Sequence, residues 1–152
     1  KEDSSFSDLL NWINVLYAEE PGSLFCIITP DKAASHSLNS LLSPKFGSAC
    51  CLLREAEESR DGGIVISHLD GTKGLEFQHV AIWNVSSRVF TGNSEGANKL
   101  YVAITRAIEG LAMCTWTNIS PHIPQNNPKL LQYRDMNYIE EVETADESNL
   151  GF

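Results

Sequence analysis

The sequence contains no apolar stretch long enough to cross a membrane, and it has few aromatic residues. Its apolar runs fall well short of the roughly 20 residues that span a bilayer, and the polar start at residues 1–5 lacks the features of a secretory signal. Aromatic residues make up 9% of the 152 positions, but 42% are apolar, which is enough for a folded core and excludes a disordered or fibrous chain. We therefore expect one main domain in the cytoplasm, with no membrane partner.

Cysteine is also scarce, and its spacing favours neither a zinc site nor a disulfide. The four cysteines form no C-x-x-C pair, and no histidine lies at metal-ligand spacing from them. Adjacent residues of a strand point to opposite faces, which separates the neighbouring pair Cys50 and Cys51. We predict reduced, buried thiols and no bound metal; the cysteines concerned are Cys26, Cys50, Cys51 and Cys114.

Basic residues are outnumbered, since 11 Lys and Arg face 20 Asp and Glu and leave a net charge of -9. This balance argues against a broad basic face that grips phosphate by bulk electrostatics. Six of the acidic residues lie beyond Arg134, where no basic residue follows. We therefore divide the chain into a domain at residues 1–134 and an acidic tail at residues 135–152, which is available to a protein partner. A first residue other than Met is consistent with a longer parent.

The apolar pattern predicts an α/β fold. Residues 6–18 repeat near a period of 3.6, with Ser5 or Ser7 as the N-cap of a helix, and further helices are predicted from Asp31 to residue 42 and over residues 97–109. Short apolar runs between them predict buried strands at residues 24–28, 49–53, 64–67, 80–85 and 111–115. Alternation of strands and helices predicts a mainly parallel sheet flanked by helices.

One candidate site is the segment Gly-Thr-Lys-Gly-Leu-Glu-Phe at residues 71–77. It joins two predicted strands, and ligands of open α/β sheets bind at the carboxyl ends of strands. Its two glycines permit unusual backbone conformations, and Lys73 and Glu76 supply opposite charges. It is not a Walker A loop, because Lys73 precedes Gly74 and the earlier glycine is missing. On spacing alone, a solvated turn is the favoured interpretation.

A second candidate is the segment Leu-Tyr-Val-Ala-Ile-Thr-Arg-Ala at residues 100–107. On a helix, Tyr101, Thr105 and Ile108 share one face. Arg106 lies one step round from it, among small residues, and the planar guanidinium suits phosphate recognition. Taken alone, an exposed surface arginine is the simpler interpretation.

Together the two segments resemble motifs V and VI of UvrD/Rep-type superfamily 1 DNA helicases, and the resemblance covers about residues 24–117. It implies a RecA-like three-layer domain, the second of two motor domains, which acts on single-stranded DNA. ATP and Mg²⁺ would be held mainly by the N-terminal RecA-like domain of the same parent. Arg106 would be the catalytic residue, an arginine finger that stabilises charge on the transferred phosphoryl group.

The resemblance also assigns binding residues. The nucleotide side comprises Gly74, Glu76, Tyr101 and Thr105, with Glu76 on the ribose and Gly74 giving it room. The DNA side comprises Asp70, Thr72 and Lys73.

The sequence departs from the family pattern at four places. Asp70 and Gln78 stand where other residues are usual, and His68 does not match the motif histidine. Where many members carry a second phosphate-contacting arginine, this chain offers Lys32. Two other interpretations therefore stay open: a degenerate RecA-like module that holds a protein partner, and a flavodoxin-like domain with no role for Arg106. Because the Walker A loop is absent, we expect no ATP hydrolysis from these 152 residues alone.

Overall fold

A computed structural model describes residues 2–53 and 62–125, and within them the chain forms a five-stranded parallel sheet. The strand order is β2-β3-β1-β4-β5, and every neighbouring pair is parallel. The strands are β1 (Leu24–Thr29), β2 (Cys50–Leu52), β3 (Gly63–His68), β4 (Phe77–Trp83) and β5 (Ala107–Cys114). The predicted α/β class is confirmed. The acidic tail lies outside the described residues, so its assignment stays a prediction.

In the described part of the chain, three α-helices flank this sheet: α1 (Glu2–Glu19), α2 (Lys32–Phe46) and α3 (Ser94–Ile104). The first two pack on one face, where alternate strand residues meet their apolar stripes. This core cluster consists of Leu9, Ile13, Phe25, Ile27, Leu38, Leu42, Cys50, Ile64, Ile66, Ala81 and Trp83. Among the described helices, none has the length and apolar character required to span a bilayer.

The other face of the sheet is covered by α3 and by the turns on either side of it. Leu100 and Ala103 of α3 are buried, and α3 contacts β4, β5 and the 3-10 turn Leu69–Thr72. Cys26 and Ile28 of β1 point to this side because their neighbours Phe25 and Ile27 belong to the first core. The described elements around the sheet therefore form three layers, and α3 carries most of the second candidate segment.

Helix ends account for most differences from the predicted pattern. The second helix begins next to Asp31, where its start was predicted, and Asp31 is its N-cap, since its carboxylate accepts a hydrogen bond from the Ala34 amide at 2.8 Å. Neither Ser5 nor Ser7 caps α1, however, because both lie inside that helix.

The third helix is shorter than predicted, and this moves Ile108 into β5. The helix ends at Ile104, and the Phe77 amide then donates to the Arg106 carbonyl at 2.8 Å, which starts the pairing of β4 with β5. Ile108 therefore does not share a helical face with Tyr101.

None of the four cysteines is paired in a disulfide, and the prediction of reduced thiols stays a prediction. Cys26 and Cys50 are buried, while Cys51 and Cys114 are partly buried. Burial raises the pKa of the Cys26 thiol far above its ordinary value. Burial, and then the charge of Asp8, raises the pKa of Cys114 to about 12. At neutral pH both of these thiols stay protonated and unreactive.

The pair Leu41 and Leu42 tests the assignment of the core. Leu42 is fully buried against the sheet, whereas its neighbour Leu41 is 52% exposed. We expect Leu42→Ala to lower the free energy of unfolding by about 2–5 kcal/mol, because it leaves a cavity. The matched control Leu41→Ala should change it by about 0.5 kcal/mol or less. Urea denaturation measures both changes. Equal effects would contradict the structure, in which α2 turns Leu42 and not Leu41 toward the sheet.

Candidate functional site

The two candidate segments meet at the amino end of the sheet. Residues 69–76 connect the carboxyl end of β3 to the amino end of β4, and they cross the sheet without an α-helix. Only the first half of this connection, the turn Leu69–Thr72, lies at the carboxyl ends of the strands. The candidate segment at residues 71–77 therefore begins near the carboxyl edge of the sheet and ends at its amino edge. In a parallel sheet a crossover must return to the amino edge before the next strand begins.

Arg106 joins the two segments through both its side chain and its backbone. Its Nη1 donates to the Leu75 carbonyl at 3.1 Å, and its carbonyl accepts from the Phe77 amide at 2.8 Å. Its own amide donates to the Ala103 carbonyl at 3.3 Å, in the last turn after α3. The guanidinium is thus held in one orientation between the end of α3 and the start of β4.

One donor of this guanidinium has no acceptor. Nε of Arg106 is buried and makes no hydrogen bond to any part of the chain that the structure describes. An unpaired buried donor costs about 1–3 kcal/mol, and a charged one costs more. The positive charge and the other N–H donors of the guanidinium still suit an anionic ligand beside Arg106.

A cavity of about 540 Å³ opens beside Arg106. Three cations and two carboxylates are among its lining residues: Lys73, Lys99, Arg106, Asp70 and Glu95. Lys99 and Glu95 form an ion pair of 2.7 Å one turn apart on α3. The hydrogen bond from Lys99, and then its charge, lower the pKa of Glu95 below the ordinary value. With that pair neutralised, the remaining lining charges favour an anion.

The structure brings only some of the predicted site residues into this cavity. Asp70, Lys73 and Arg106 line it together. The four residues predicted for the nucleotide side are not among its lining residues: Gly74, Glu76, Tyr101 and Thr105. Glu76 is exposed, and Tyr101 is 70% exposed. The side chains of Glu76 and Tyr101 therefore face solvent.

Gly74 has a backbone role that differs from the expected one. No atom lies within 4 Å of a Cβ placed there, so the glycine does not make room for Glu76. Its φ of +77° lies in the region that residues with a side chain rarely adopt, and this explains the glycine at this position. Gly71 is the glycine with close neighbours, because a Cβ there would displace the Ser67 hydroxyl and press on the ring of His68.

Thr72 is not available for the predicted contact with DNA. Its side chain is fully buried, and its hydroxyl donates to the Leu69 carbonyl at 2.7 Å. The hydroxyl closes the 3-10 turn instead of facing a ligand. The prediction failed at Thr72 because spacing along the chain does not show which side of a turn faces the sheet.

A second cavity of about 310 Å³ lies at the carboxyl ends of the strands. Its lining includes Thr29 from β1, His68 from β3, and Arg88 and Phe90 after β4. Asp70 and Lys99 line both cavities. Sequence reasoning missed Arg88, because residues 87–96 show only the polar composition of a loop. The signal available was position: the segment follows a buried strand, where ligand sites form in parallel sheets.

The structure explains two departures from the family pattern, Gln78 and Lys32. The Gln78 side-chain carbonyl accepts a hydrogen bond from the Leu24 amide at 2.9 Å. It thereby satisfies a donor at the amino end of β1. Lys32 is exposed at the start of α2 and lines neither of the two cavities described above. It is therefore a solvated residue of the first helical turn.

The fold is similar to that of the C-terminal domain of a possible DNA helicase from Lactobacillus plantarum, known from a crystal structure. The TM-score is 0.70 at 21% sequence identity, over 84% of this chain and 76% of that chain. No protein-family model matches the sequence, and no curated protein is significantly similar to it. The likeness establishes the fold, an α/β domain built on a parallel sheet.

The two glycines of residues 71–77 allow a test of their different roles. We expect Gly71→Ala to lower the free energy of unfolding by about 1–3 kcal/mol, because the new methyl group overlaps Ser67. Gly74→Asn should cost less than about 1 kcal/mol, since asparagine tolerates positive φ and the space is open. Thermal unfolding of both variants measures the difference. A larger loss for Gly74→Asn would contradict this backbone description.

Proposed function

We propose that this chain is the second motor domain of an ATP-dependent DNA helicase of the UvrD/Rep type. Three features support the proposal: the sequence pattern of residues 71–77 and 100–107, the likeness of the fold to a helicase C-terminal domain, and the geometry of Arg106. The last of these carries the chemistry. A fixed, partly unpaired guanidinium at the wall of a cavity suits an anion that arrives from outside the domain.

The residues beside Arg106 fit a polyphosphate. Lys73 and Lys99 line the same cavity, and Arg106 has five N–H donors, of which the Leu75 carbonyl uses one. ATP with Mg²⁺, held mainly by the N-terminal domain of the parent, would supply the phosphoryl group whose transfer drives the motor. Arg106 would donate to the terminal phosphate oxygens and stabilise the negative charge that develops on them. The Leu75 carbonyl orients the guanidinium before the phosphate arrives, so the side chain loses little conformational entropy on binding.

Single-stranded DNA would pass the carboxyl edge of the sheet. Arg88 and Lys99 provide cations at the second cavity, and Phe90 is close to them in the lining. A few placed cations suit a chain whose net charge is -9. Asp70, between the two cavities, limits how closely a phosphate approaches there, while Lys73 offers a point charge on the other side of the turn.

The turn at residues 69–72 couples the two edges of the sheet in this proposal. It starts at the DNA edge, and the residues that follow it run to Arg106 at the nucleotide edge. Asp70 and Lys99 line both cavities, so a shift of the turn changes both at once. We infer that closure of the nucleotide cleft on Arg106 is passed to the DNA edge through this segment.

Exposed apolar side chains favour a second candidate function, a protein-binding module without motor activity. Tyr101 is 70% and Ile108 61% exposed. The acidic tail adds charge that a basic partner could recognise. This candidate assigns no chemistry to Arg106, so the two functions differ in what loss of that side chain does.

Substitution of Arg106 in the intact parent separates the two functions. We expect Arg106→Ala to lower ATP turnover by about 10³-fold or more, because the charge on the transferred phosphoryl loses its stabilising partner. Arg106→Lys should restore little of the ATP turnover, since an ammonium group cannot bind the Leu75 carbonyl and a phosphate in one plane. Steady-state ATPase rates with saturating single-stranded DNA give the measurement.

Lys45→Ala is the control, because Lys45 is an exposed cation in the last turn of α2 and lines neither cavity. It should leave turnover unchanged. Circular dichroism of each variant checks that the fold is kept. Wild-type turnover in a folded Arg106→Ala protein would remove Arg106 from the mechanism and favour the binding module.

A further inference from the structure

Three side chains that metals bind in proteins converge on the α1 side of the sheet. Glu20 follows the end of α1, His79 lies on β4, and Glu109 lies on the edge strand β5. One nitrogen or oxygen ligand atom from each lies within 4.8 Å of the other two. None of the three residues lines either cavity described above. The cluster is therefore separate from the proposed nucleotide and DNA sites.

His79 is the fixed member of the cluster. It is 3% exposed, and its ring packs against Phe25 and Trp12 at centroid distances of 4.9 and 6.2 Å. Its Nε2 lies 3.2 Å from Oε2 of Glu20. Nδ1 is buried and has no hydrogen-bond partner within the described part of the chain. The packing therefore holds the imidazole with Nε2 directed at the carboxylate.

The backbone of the edge strand is shaped around this imidazole. Phe77 pairs with Ala107 and His79 pairs with Gly110, so β5 contains one more residue than β4 over the same stretch. Such a bulge re-aims side chains, and here it includes Glu109. Gly110 is required as well, because a Cβ there would collide with Nδ1 of His79.

Glu20 is also positioned before any ion binds. The buried Ser23 donates its hydroxyl hydrogen to Oε2 of Glu20 at 3.3 Å, which orients the carboxylate. Two ligand atoms on one tetrahedral ion, each about 2.0–2.1 Å from it, lie about 3.4 Å apart. The 3.2 Å between Glu20 and His79 is close to that spacing. Glu109 is exposed, so its side chain can rotate to close the third side.

We propose that Glu20, His79 and Glu109 form a binding site for a divalent transition-metal cation such as Zn²⁺. One imidazole nitrogen and two carboxylate oxygens leave a fourth position for water. The nitrogen ligand favours zinc over magnesium or calcium, which prefer oxygen ligands throughout. Bound there, the ion would tie the end of α1 to the edge strand, a link that depends neither on ATP nor on DNA.

Calorimetric titration of the full 152-residue chain with zinc chloride, under reducing conditions, tests this site. We expect one ion per chain. Glu109→Gln should weaken binding by at least about tenfold, because a neutral amide replaces a charged ligand, and Glu20→Gln should do the same. The control Glu19→Gln removes a neighbouring exposed carboxylate outside the cluster and should leave affinity unchanged.

Cobalt as a spectroscopic substitute excludes the cysteines. The cobalt complex should lack the near-ultraviolet band of thiolate coordination, and zinc should displace the ion. Because Glu109 is exposed, Glu109→Gln keeps the fold and the test does not depend on replacing buried His79. Absence of binding up to about 1 mM zinc, wild-type affinity in both Gln variants, or a thiolate band would each overturn the proposal.

Discussion

The pairing of Arg106 with residues 75 and 77 is the constraint on which the candidate site depends. Its side chain holds the Leu75 carbonyl and its backbone carbonyl holds the Phe77 amide. These two hydrogen bonds join the end of α3 to the start of β4 and place a guanidinium in one orientation. The same contact explains why α3 ends at Ile104, since a further helical turn would carry Arg106 away from β4. Fold and candidate chemistry thus share one residue.

Periodicity predicted the layers of this fold well, because burial of a strand or a helix face leaves a regular apolar pattern. All five strands lie at or close to the predicted runs, and α2 begins next to Asp31, where a helix was predicted to start. Helix ends were harder to place. Ser5 lies inside α1, and Ile108 belongs to a strand instead of a helix. Local helix propensity carries no information about the tertiary hydrogen bond that ends α3.

The candidate site was predicted less completely than the fold, for a geometric reason. Asp70 and Lys73 were predicted for the DNA side and Arg106 for the ATP side, yet all three line one cavity, and Thr72 is buried in its own turn. Gln78 stabilises the start of β1, a contact across 54 residues that spacing cannot show. Arg88 and His79 have no local motif at all. Each of these two residues has its own neighbours on other strands. Only the folded sheet brings each residue next to those neighbours.

The most direct test of the central claim is a crystal structure of the intact parent with ADP and a planar phosphate mimic. The account predicts that Arg106 keeps its hydrogen bond to the Leu75 carbonyl and donates to the mimic across the cleft between the two domains. Lys73 and Lys99 should face the same cleft. A structure in which Arg106 points away from the bound nucleotide, or in which the nucleotide binds elsewhere, would contradict it.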